Sequence, residues 1–286
     1  MNQYAILYNP LANNGQGEKA AEALKSLLPN DDLSFINIRT VTDYQAFFKE
    51  LDPGAKPVLV GGDGTLSYFI NHYDVDSLDR EVYYYPAGSG NDFYNDVKEK
   101  EPDLPLLLNP YLKDLPIATV KGKEYRVLNG VGYGIDGYCC EVGDEMRQKS
   151  DKPVNYAGIA IKGLLFHYKT TNATVIIDGV ERRFPKCWLA PTMNGRFYGG
   201  GMNATPDQDR LNPERTLSTL LFFGSGKIKT LMIFPNIFKG THVKHSDCVL
   251  VFTGKEVTVR FDRPTALQVD GETVKDVTEY TMRAVK

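Results

Sequence analysis

The chain has 286 residues, 42% of them hydrophobic and 24% charged, a composition that excludes wholesale disorder and suits a soluble folded protein. A single hydrophobic core stops growing at roughly 250–300 residues, so two lobes are expected. Thirty-three Lys plus Arg against 36 Asp plus Glu give a formal charge of −3, which lacks the bulk basicity of a dedicated nucleic-acid binder.

The four cysteines, Cys139, Cys140, Cys187 and Cys248, form no C-x-x-C pair and two are adjacent. That spacing predicts reduced thiols in a cytosolic protein. No apolar run reaches the ~18–20 residues of a membrane span. The N-terminus MNQYAILYNP lacks the basic region and long apolar stretch of a signal peptide. A cytoplasmic protein is the expectation.

In chain order, Tyr4 to Tyr8 reads as a strand stopped by Asn9-Pro10, and Ala20, Ala21, Ala23, Leu24, Leu27 and Leu28 recur at helical spacing. A second strand is predicted over Leu33 to Arg39. Thr42 is the expected N-cap of a helix ending near Leu51. Pro57 to Val60 is a short buried strand running into Gly61-Gly62-Asp63-Gly64-Thr65. A helical pattern with Leu66, Phe69 and Ile70 follows, then the strand Val82 to Tyr85. Strands alternating with helices predict βαβ units and a largely parallel sheet, whose ligands sit at the carboxyl ends of the strands. After the proline-rich stretch Pro102 to Pro116 the signals are mostly strands between Gly, Pro or Asp turns. Ala173 to Ile177, Thr216 to Phe223 and Val249 to Phe252 are examples, with one helical stretch over Tyr156 to Tyr168. The second lobe therefore reads as a β-sandwich or barrel-like sheet pair.

Three loops follow strands of the first lobe: Asn9 to Gly17, Gly61 to Thr65, and Pro86 to Asp92. Glycines let backbone approach a bulky anion, and the helix after each loop offers unpaired N–H groups and a positive dipole end. An acid in such a loop repels phosphate unless a divalent cation bridges the two, and Asp63 is in that position. Any one loop alone reads as an ordinary strand-to-helix turn. Three on one sheet edge read as a binding site.

Other motifs carry less. Gly224-Ser225-Gly226-Lys227 lacks the first glycine and the Ser or Thr of a phosphate loop, having Leu221 and Ile228 there. Gly132-Tyr133-Gly134-Ile135-Asp136-Gly137 matches G-x-G-x-x-G, yet it lies where the chain turns into the β-rich lobe. His242 and His245 read as a surface pair, with no Cys or acidic partner at zinc spacing. Leu267-Gln268-Val269 before Asp270-Gly271 reads as a strand and hairpin turn, from which Glu272 would project as a general base toward a hydroxyl.

At these residues the sequence resembles the diacylglycerol kinase catalytic-domain family, which includes sphingosine kinases and bacterial lipid kinases. The resemblance rests on Tyr8-Asn9-Pro10 with Gly15-Gln16-Gly17, on Gly61 to Leu66, and on Pro86 to Phe93 with Ser89 where the family has Thr. It also rests on Asn194-Gly195 with Tyr198 to Met202, and on Asp270-Gly271-Glu272. The first motif alone is shared with NAD kinases and phosphofructokinases; the five in order indicate the lipid kinases.

The resemblance implies an N-terminal Rossmann-like α/β lobe over residues 1–116, a β-sandwich lobe over 117–268, ATP in the cleft between them, and a segment 269–286 returning to the first lobe. By carry-over, Asn9, Pro10, Leu11, Ala12, Asn13, Thr40, Gly61, Gly62, Asp63, Gly64, Thr65, Leu66 and Ser89 would contact ATP. Asp63 would serve the reactive Mg²⁺, and Glu272 would accept the proton of a lipid hydroxyl. One segment departs from the family. Where bacterial members carry an Asp-Asp-Gly-Leu-type structural Mg²⁺ segment, this chain has Pro206-Asp207-Gln208-Asp209-Arg210-Leu211-Asn212-Pro213. Either Asp207 and Asp209 take over that metal or the site is absent, and the charge of Arg210 favours absence.

The expected activity is transfer of the γ-phosphate of ATP to a diacylglycerol or related lipid alcohol. The alternatives are an NAD kinase-like enzyme for a small molecule and a non-catalytic nucleotide-binding regulator. The lipid would be met by transient docking at the membrane surface, through Leu164 to Lys169 or Met232 to Lys239. The family resemblance also allows a homodimer.

Overall fold

A computed structural model describes residues 1–149 and 156–285. The chain divides into two compact units, Met1–Lys113 and Asp114–Lys286.

The first unit is built on a five-stranded sheet of order β2-β1-β3-β4-β5. Its strands are β1 (Gln3–Tyr8), β2 (Asp32–Asn37), β3 (Ala55–Gly61), β4 (Tyr83–Pro86) and β5 (Leu106–Leu107). The first four run parallel and β5 is antiparallel to β4. Ala5, Ile6 and Leu7, like Val58, Leu59 and Val60, are wholly buried. Unbroken apolar runs of this kind belong to strands covered on both faces. Because β1 to β4 run the same way, the loops after them open on one edge of the sheet.

Two helix boundaries differ from the sequence reading. Asp43, not Thr42, caps Tyr44–Glu50, its Oδ1 accepting from the Ala46 N–H at 2.9 Å. The helix read from Ala20 to Leu28 begins at Gly17 and is split into Gly17–Glu22 and Leu24–Leu27.

The second unit carries, among the described residues, a ten-stranded sheet. Its strands are β6 (Ile117–Val120), β7 (Lys123–Arg126), β8 (Gly130–Tyr133), β9 (Thr171–Ile177), β10 (Val180–Cys187) and β11 (Thr192–Met193), followed by β14 (Leu217–Phe222), β15 (Val249–Gly254), β16 (Glu256–Val269) and β17 (Glu272–Arg283). The small hairpin of β12 (Phe197–Tyr198) and β13 (Met202–Asn203) lies between β11 and β14 in the chain. The long strand β16 organises the unit. Val257 to Phe261 pair with β9, Leu267 to Val269 pair with β8, and β17 follows along its length with register shifts between Arg260 and Leu267. Those irregularities let the strand bend, so that its two halves belong to two facing layers. Val131, Tyr133, Val175, Leu221, Val259 and Tyr280 fill the core between them, and Tyr133 stacks on Phe261 with ring centroids 3.8 Å apart. An α/β lobe and a β-sandwich lobe were the sequence expectation, and both are present.

Other expectations are corrected. The last strand, β17, pairs with β16 and β6 inside the second sheet rather than returning to the first unit. The helix Ile135–Lys149 was not read from the sequence, because its buried face consists of Ile135, Asp136, Gly137, Cys139 and Gly143 rather than a run of large aliphatics. That helix follows β8 directly, so the G-x-G-x-x-G stretch does join a strand to a helix. The strands flanking β8 are antiparallel to it, however, and no βαβ unit forms. A methyl group on Gly137 would lie 2.0 Å from the Ala266 carbonyl oxygen, so that glycine serves helix-to-sheet packing. His242 is buried rather than on the surface, its Nε2 lying 3.0 Å from the Ala204 carbonyl oxygen. The stretch Tyr156 to Tyr168 forms the helix Tyr156–Lys162 followed by a wide helical turn, Gly163–His167. Among the described residues no helix is long and apolar enough to cross a membrane.

Candidate active site

In the first unit the three loops brace one another. Asn9 Oδ1 accepts from the Leu11 N–H at 3.1 Å, and Asn9 Nδ2 donates to Thr65 Oγ1 at 3.2 Å. Asn91, in the left-handed region at φ 52°, closes the third loop by accepting from the Gly88 N–H and donating to the Gly88 carbonyl, both at 2.8 Å. The second and third loops pass so closely that a methyl on Gly88 would lie 2.4 Å from the Gly62 Cα. Glycine at both positions is therefore a packing requirement as well as an opening toward a ligand.

Asp63 performs a task the sequence did not show. Its Oδ2 accepts from the Asp92 N–H at 2.9 Å and its Oδ1 from the Phe93 N–H at 2.8 Å. The carboxylate thus satisfies the open amides at the start of the helix Asp92–Val97 while sitting in the first turn of the helix Asp63–His72.

Asn9, Gly61, Gly62, Asp63 and Thr65 are brought together on this edge. Pro10, Leu11, Ala12 and Asn13 continue the first loop, with Leu11 exposed. Thr40 lies just past the end of β2, exposed, its hydroxyl donating to the Asn37 carbonyl at 2.8 Å. Gly64 and Ser89 are exposed. Leu66 does not reach the loop surface: its side chain is wholly buried and its N–H donates to the Gly62 carbonyl at 3.3 Å.

In the second unit the turn between β16 and β17 is held from beneath. Asp270 and Gly271 both have positive φ, 46° and 92°, the backbone of a two-residue type I′ hairpin. The Asp270 carboxylate is buried and accepts from the N–H groups of Leu128, Asn129 and Gly130 at 2.6, 2.8 and 3.0 Å. The Gly271 N–H donates to Gln268 Oε1 at 2.6 Å, and Thr273 Oγ1 donates to Asp144 Oδ2 at 2.7 Å. Glu272 stands between these anchors, exposed. Among the described residues its carboxylate has no hydrogen bond and no ion pair.

The segment 207–213 is organised differently from a cation site. Asp207 and Asp209 are exposed, while Gln208 and Arg210 between them are buried. Asp209 Oδ1 accepts from the Leu211 N–H at 3.0 Å and Asn212 Oδ1 from the Thr216 N–H at 2.9 Å. Among the described residues no group of three or more His, Cys, Asp or Glu side chains could hold a metal ion. Asp207 and Asp209 therefore do not fit the structural Mg²⁺ role.

Sequence reasoning missed Asp136, at the start of the helix Ile135–Lys149. Its carboxyl is buried beside the Tyr198 hydroxyl, with Cys139 and Cys140 nearby, and burial pushes its pKa up to about 7. The Gly137 N–H and the Tyr198 hydroxyl lie close and favour the anion, but neither forms a hydrogen bond of good geometry to either carboxyl oxygen. A hydrophobic position bearing an acid was the available signal. The native carboxyl titrates above the unfolded value of about 3.9, so the native state holds more protons across that interval. Stability therefore falls as pH rises from about 4 to about 7 and levels off above. Asp136→Asn is expected to remove on the order of 2 kcal/mol of the stability difference between pH 5 and pH 8. Urea unfolding at the two pH values checks this, and an unchanged difference would refute it.

Family models match both units of the chain. The diacylglycerol kinase catalytic domain matches residues 3–115, and the YegS C-terminal NAD kinase beta sandwich-like domain matches residues 129–283. YtlR of Bacillus subtilis, whose name assigns it provisionally to the lipid kinases, is 24% identical over 309 residues, covering 95% of this chain and 94% of that protein. A diacylglycerol kinase of Mycobacterium tuberculosis is 24% identical over 269 residues, covering 90% of this chain and 84% of the relative. The crystal structure of a Bacillus anthracis protein, provisionally named a diacylglycerol kinase, shares the fold with a TM-score of 0.67 at 16% identity, covering 100% of this chain and 93% of that one. The chain belongs to the diacylglycerol kinase catalytic-domain family of kinases, its second unit being the YegS-type NAD kinase-like β-sandwich domain.

Proposed function

We propose that this protein is an ATP- and Mg²⁺-dependent lipid kinase that phosphorylates the hydroxyl of a diacylglycerol or a related lipid alcohol. The observation that carries the reading is the Asp270-pinned turn, which holds a free Glu272 carboxylate on a rigid support. The braced loops of the first unit supply what phosphoryl transfer otherwise needs, a fixed backbone cradle at the amino end of a helix. Asn9, Gly61 to Thr65 and Ser89 would hold the phosphates, and the negative charge of Asp63 would face the cation. Bound Mg²⁺ supplies neutralisation of the charge on the transferring phosphoryl group. As the lipid oxygen bonds to the γ-phosphorus, its proton passes to Glu272 and ADP leaves.

Transfer of labelled phosphate from ATP into a mixed lipid extract tests the reading. A labelled lipid made by the wild type is the expected result. Turnover of soluble acceptors alone would favour a small-molecule kinase. ATP binding with no product would favour a non-catalytic nucleotide binder.

A lipid acceptor requires contact with a membrane, and the second unit offers a surface for it. Leu164, Ile233 and Ile237 of the two candidate segments are core residues, whereas Phe166 is 73% exposed and Met232 68%. Ile161 and Ile228 are exposed as well, and Lys227 Nζ, at the start of the helix Lys227–Ile233 that leads into the second segment, donates to the Leu165 carbonyl of the first at 2.9 Å. Exposed Lys162, Lys169 and Lys239 flank these side chains in the sequence. Large apolar groups set among lysines suit the headgroup region of an anionic bilayer. Phe166→Ser/Met232→Ser is expected to lower flotation with phosphatidylglycerol vesicles by about five-fold or more with an unchanged melting temperature. Equal recovery of variant and wild type would remove this surface from the proposal.

A further inference from the structure

The segment 207–213 carries a cation of its own. Arg210 is only 6% exposed, and a guanidinium withdrawn from water is costly unless its N–H groups find oxygens. It finds them on one turn: Nη1 donates to the Leu128 carbonyl at 3.2 Å and Nη2 to Asn129 Oδ1 at 3.0 Å. The amides of the same turn serve Asp270, whose carboxylate accepts from Leu128, Asn129 and Gly130. A fixed positive charge thus holds the oxygens of the turn and a fixed negative charge its N–H groups. In a low-dielectric setting the two sets of hydrogen bonds polarise and strengthen each other.

The support of Arg210 is itself rigid. Gln208 Nε2 donates to the carbonyls of Asn194 and Thr216 at 3.2 and 2.8 Å, and Arg215 Nη1 donates to the Arg210 carbonyl at 3.3 Å. Asn194 Nδ2 also donates to the Leu128 carbonyl, at 2.9 Å. The Leu128, Asn194 and Thr216 carbonyls and Asn129 Oδ1 are thus already occupied by N–H donors.

We propose that Arg210 is a built-in cation that does in this protein what a structural metal would do: it clasps the Leu128–Gly130 turn and, through Asp270, positions Glu272. The inference rests on the reading of Glu272 as the base. It makes Arg210 a positioning residue, because it touches the support of the base rather than the reacting atoms.

Three readouts test the clasp, two of them independent of turnover. Hydrogen exchange at the Leu128, Asn129 and Gly130 amides is expected to quicken about ten-fold or more in Arg210→Met while the β16–β17 ladder exchanges as in the wild type. Unchanged exchange would overturn the clasp. Nucleotide-free wild type is expected to melt at the same temperature in EDTA and in millimolar Mg²⁺, since a site that binds no metal gains nothing from it. A rise of several degrees with Mg²⁺ would overturn the substitution of guanidinium for metal. Arg210→Lys, which keeps the charge but loses the two-pronged donor, is expected to lose about 30-fold in kcat with KM for ATP within two-fold. Guanidinium ion is expected to restore part of the kcat of Arg210→Ala. Wild-type kcat in Arg210→Met would overturn positioning. Absence of lipid phosphorylation by the wild type would overturn the kinase reading, while the exchange and melting results would still decide the clasp.

Discussion

Glu272→Gln is expected to lose about 10²–10⁴-fold in kcat for lipid phosphorylation with ATP affinity and melting temperature at wild-type values. The separation of chemistry from folding follows from the geometry. The Glu272 carboxylate supports no other group in the described structure, so replacing it with an amide of the same shape breaks no contact. Surface changes of that kind stay within about 0.5 kcal/mol. Asp270→Asn makes the informative contrast. Its carboxylate accepts three backbone N–H groups in a buried place, and an amide would turn a donor toward donors, at about 1–3 kcal/mol. That variant is expected to lose stability and kcat together, whereas Glu272→Gln loses kcat alone. Measuring kcat, KM for ATP and urea unfolding on both variants decides the assignment. A Glu272→Gln enzyme retaining a third or more of wild-type kcat would sink it.

The parts of the fold that the sequence displayed are those set by local chemistry. Val58, Leu59 and Val60 announce a strand buried on both faces, and the glycines after it announce a close backbone approach, here between Gly62 and Gly88. Asp270-Gly271 announces its turn because few residue pairs accept positive φ twice. What stayed hidden depends on partners far along the chain. Asp63 caps a helix 29 residues away, and the Asp270 carboxylate reaches Leu128 across 142 positions. Nothing in Gly-Gly-Asp-Gly-Thr or Asp-Gly-Glu states where those oxygens will go. Asp136 and Arg210 were obscured for a related reason: charged residues are expected at the surface, and only the folded chain shows these two inside. The return of the final strand to the first lobe was an expectation of the family resemblance, and the strand pattern could not test it, since membership of one sheet or another leaves no mark on such a pattern.

Asp63→Asn is the second large effect, and its argument is electrostatic as well as steric. The native carboxylate accepts one N–H on each oxygen. Asparagine keeps one acceptor and sets an NH₂ group against the other amide, leaving a donor without a partner at about 1–3 kcal/mol. It also removes a negative charge from a helix start, at a further 0.3–1 kcal/mol or about that. Urea unfolding is expected to show a loss of about 2–3 kcal/mol, with phosphoryl transfer to lipid lost as the second and third loops slacken. The binding data then separate the two duties of this side chain. If Asp63 faces the cation as proposed, ATP affinity in the variant falls further with Mg²⁺ present than with EDTA, because the metal loses a negatively charged neighbour. Equal weakening in both conditions would mean that the residue is a brace between loops rather than a neighbour of the cation, and the acid in the glycine loop would owe its place to the groups it braces, the Asp92 and Phe93 amides among them.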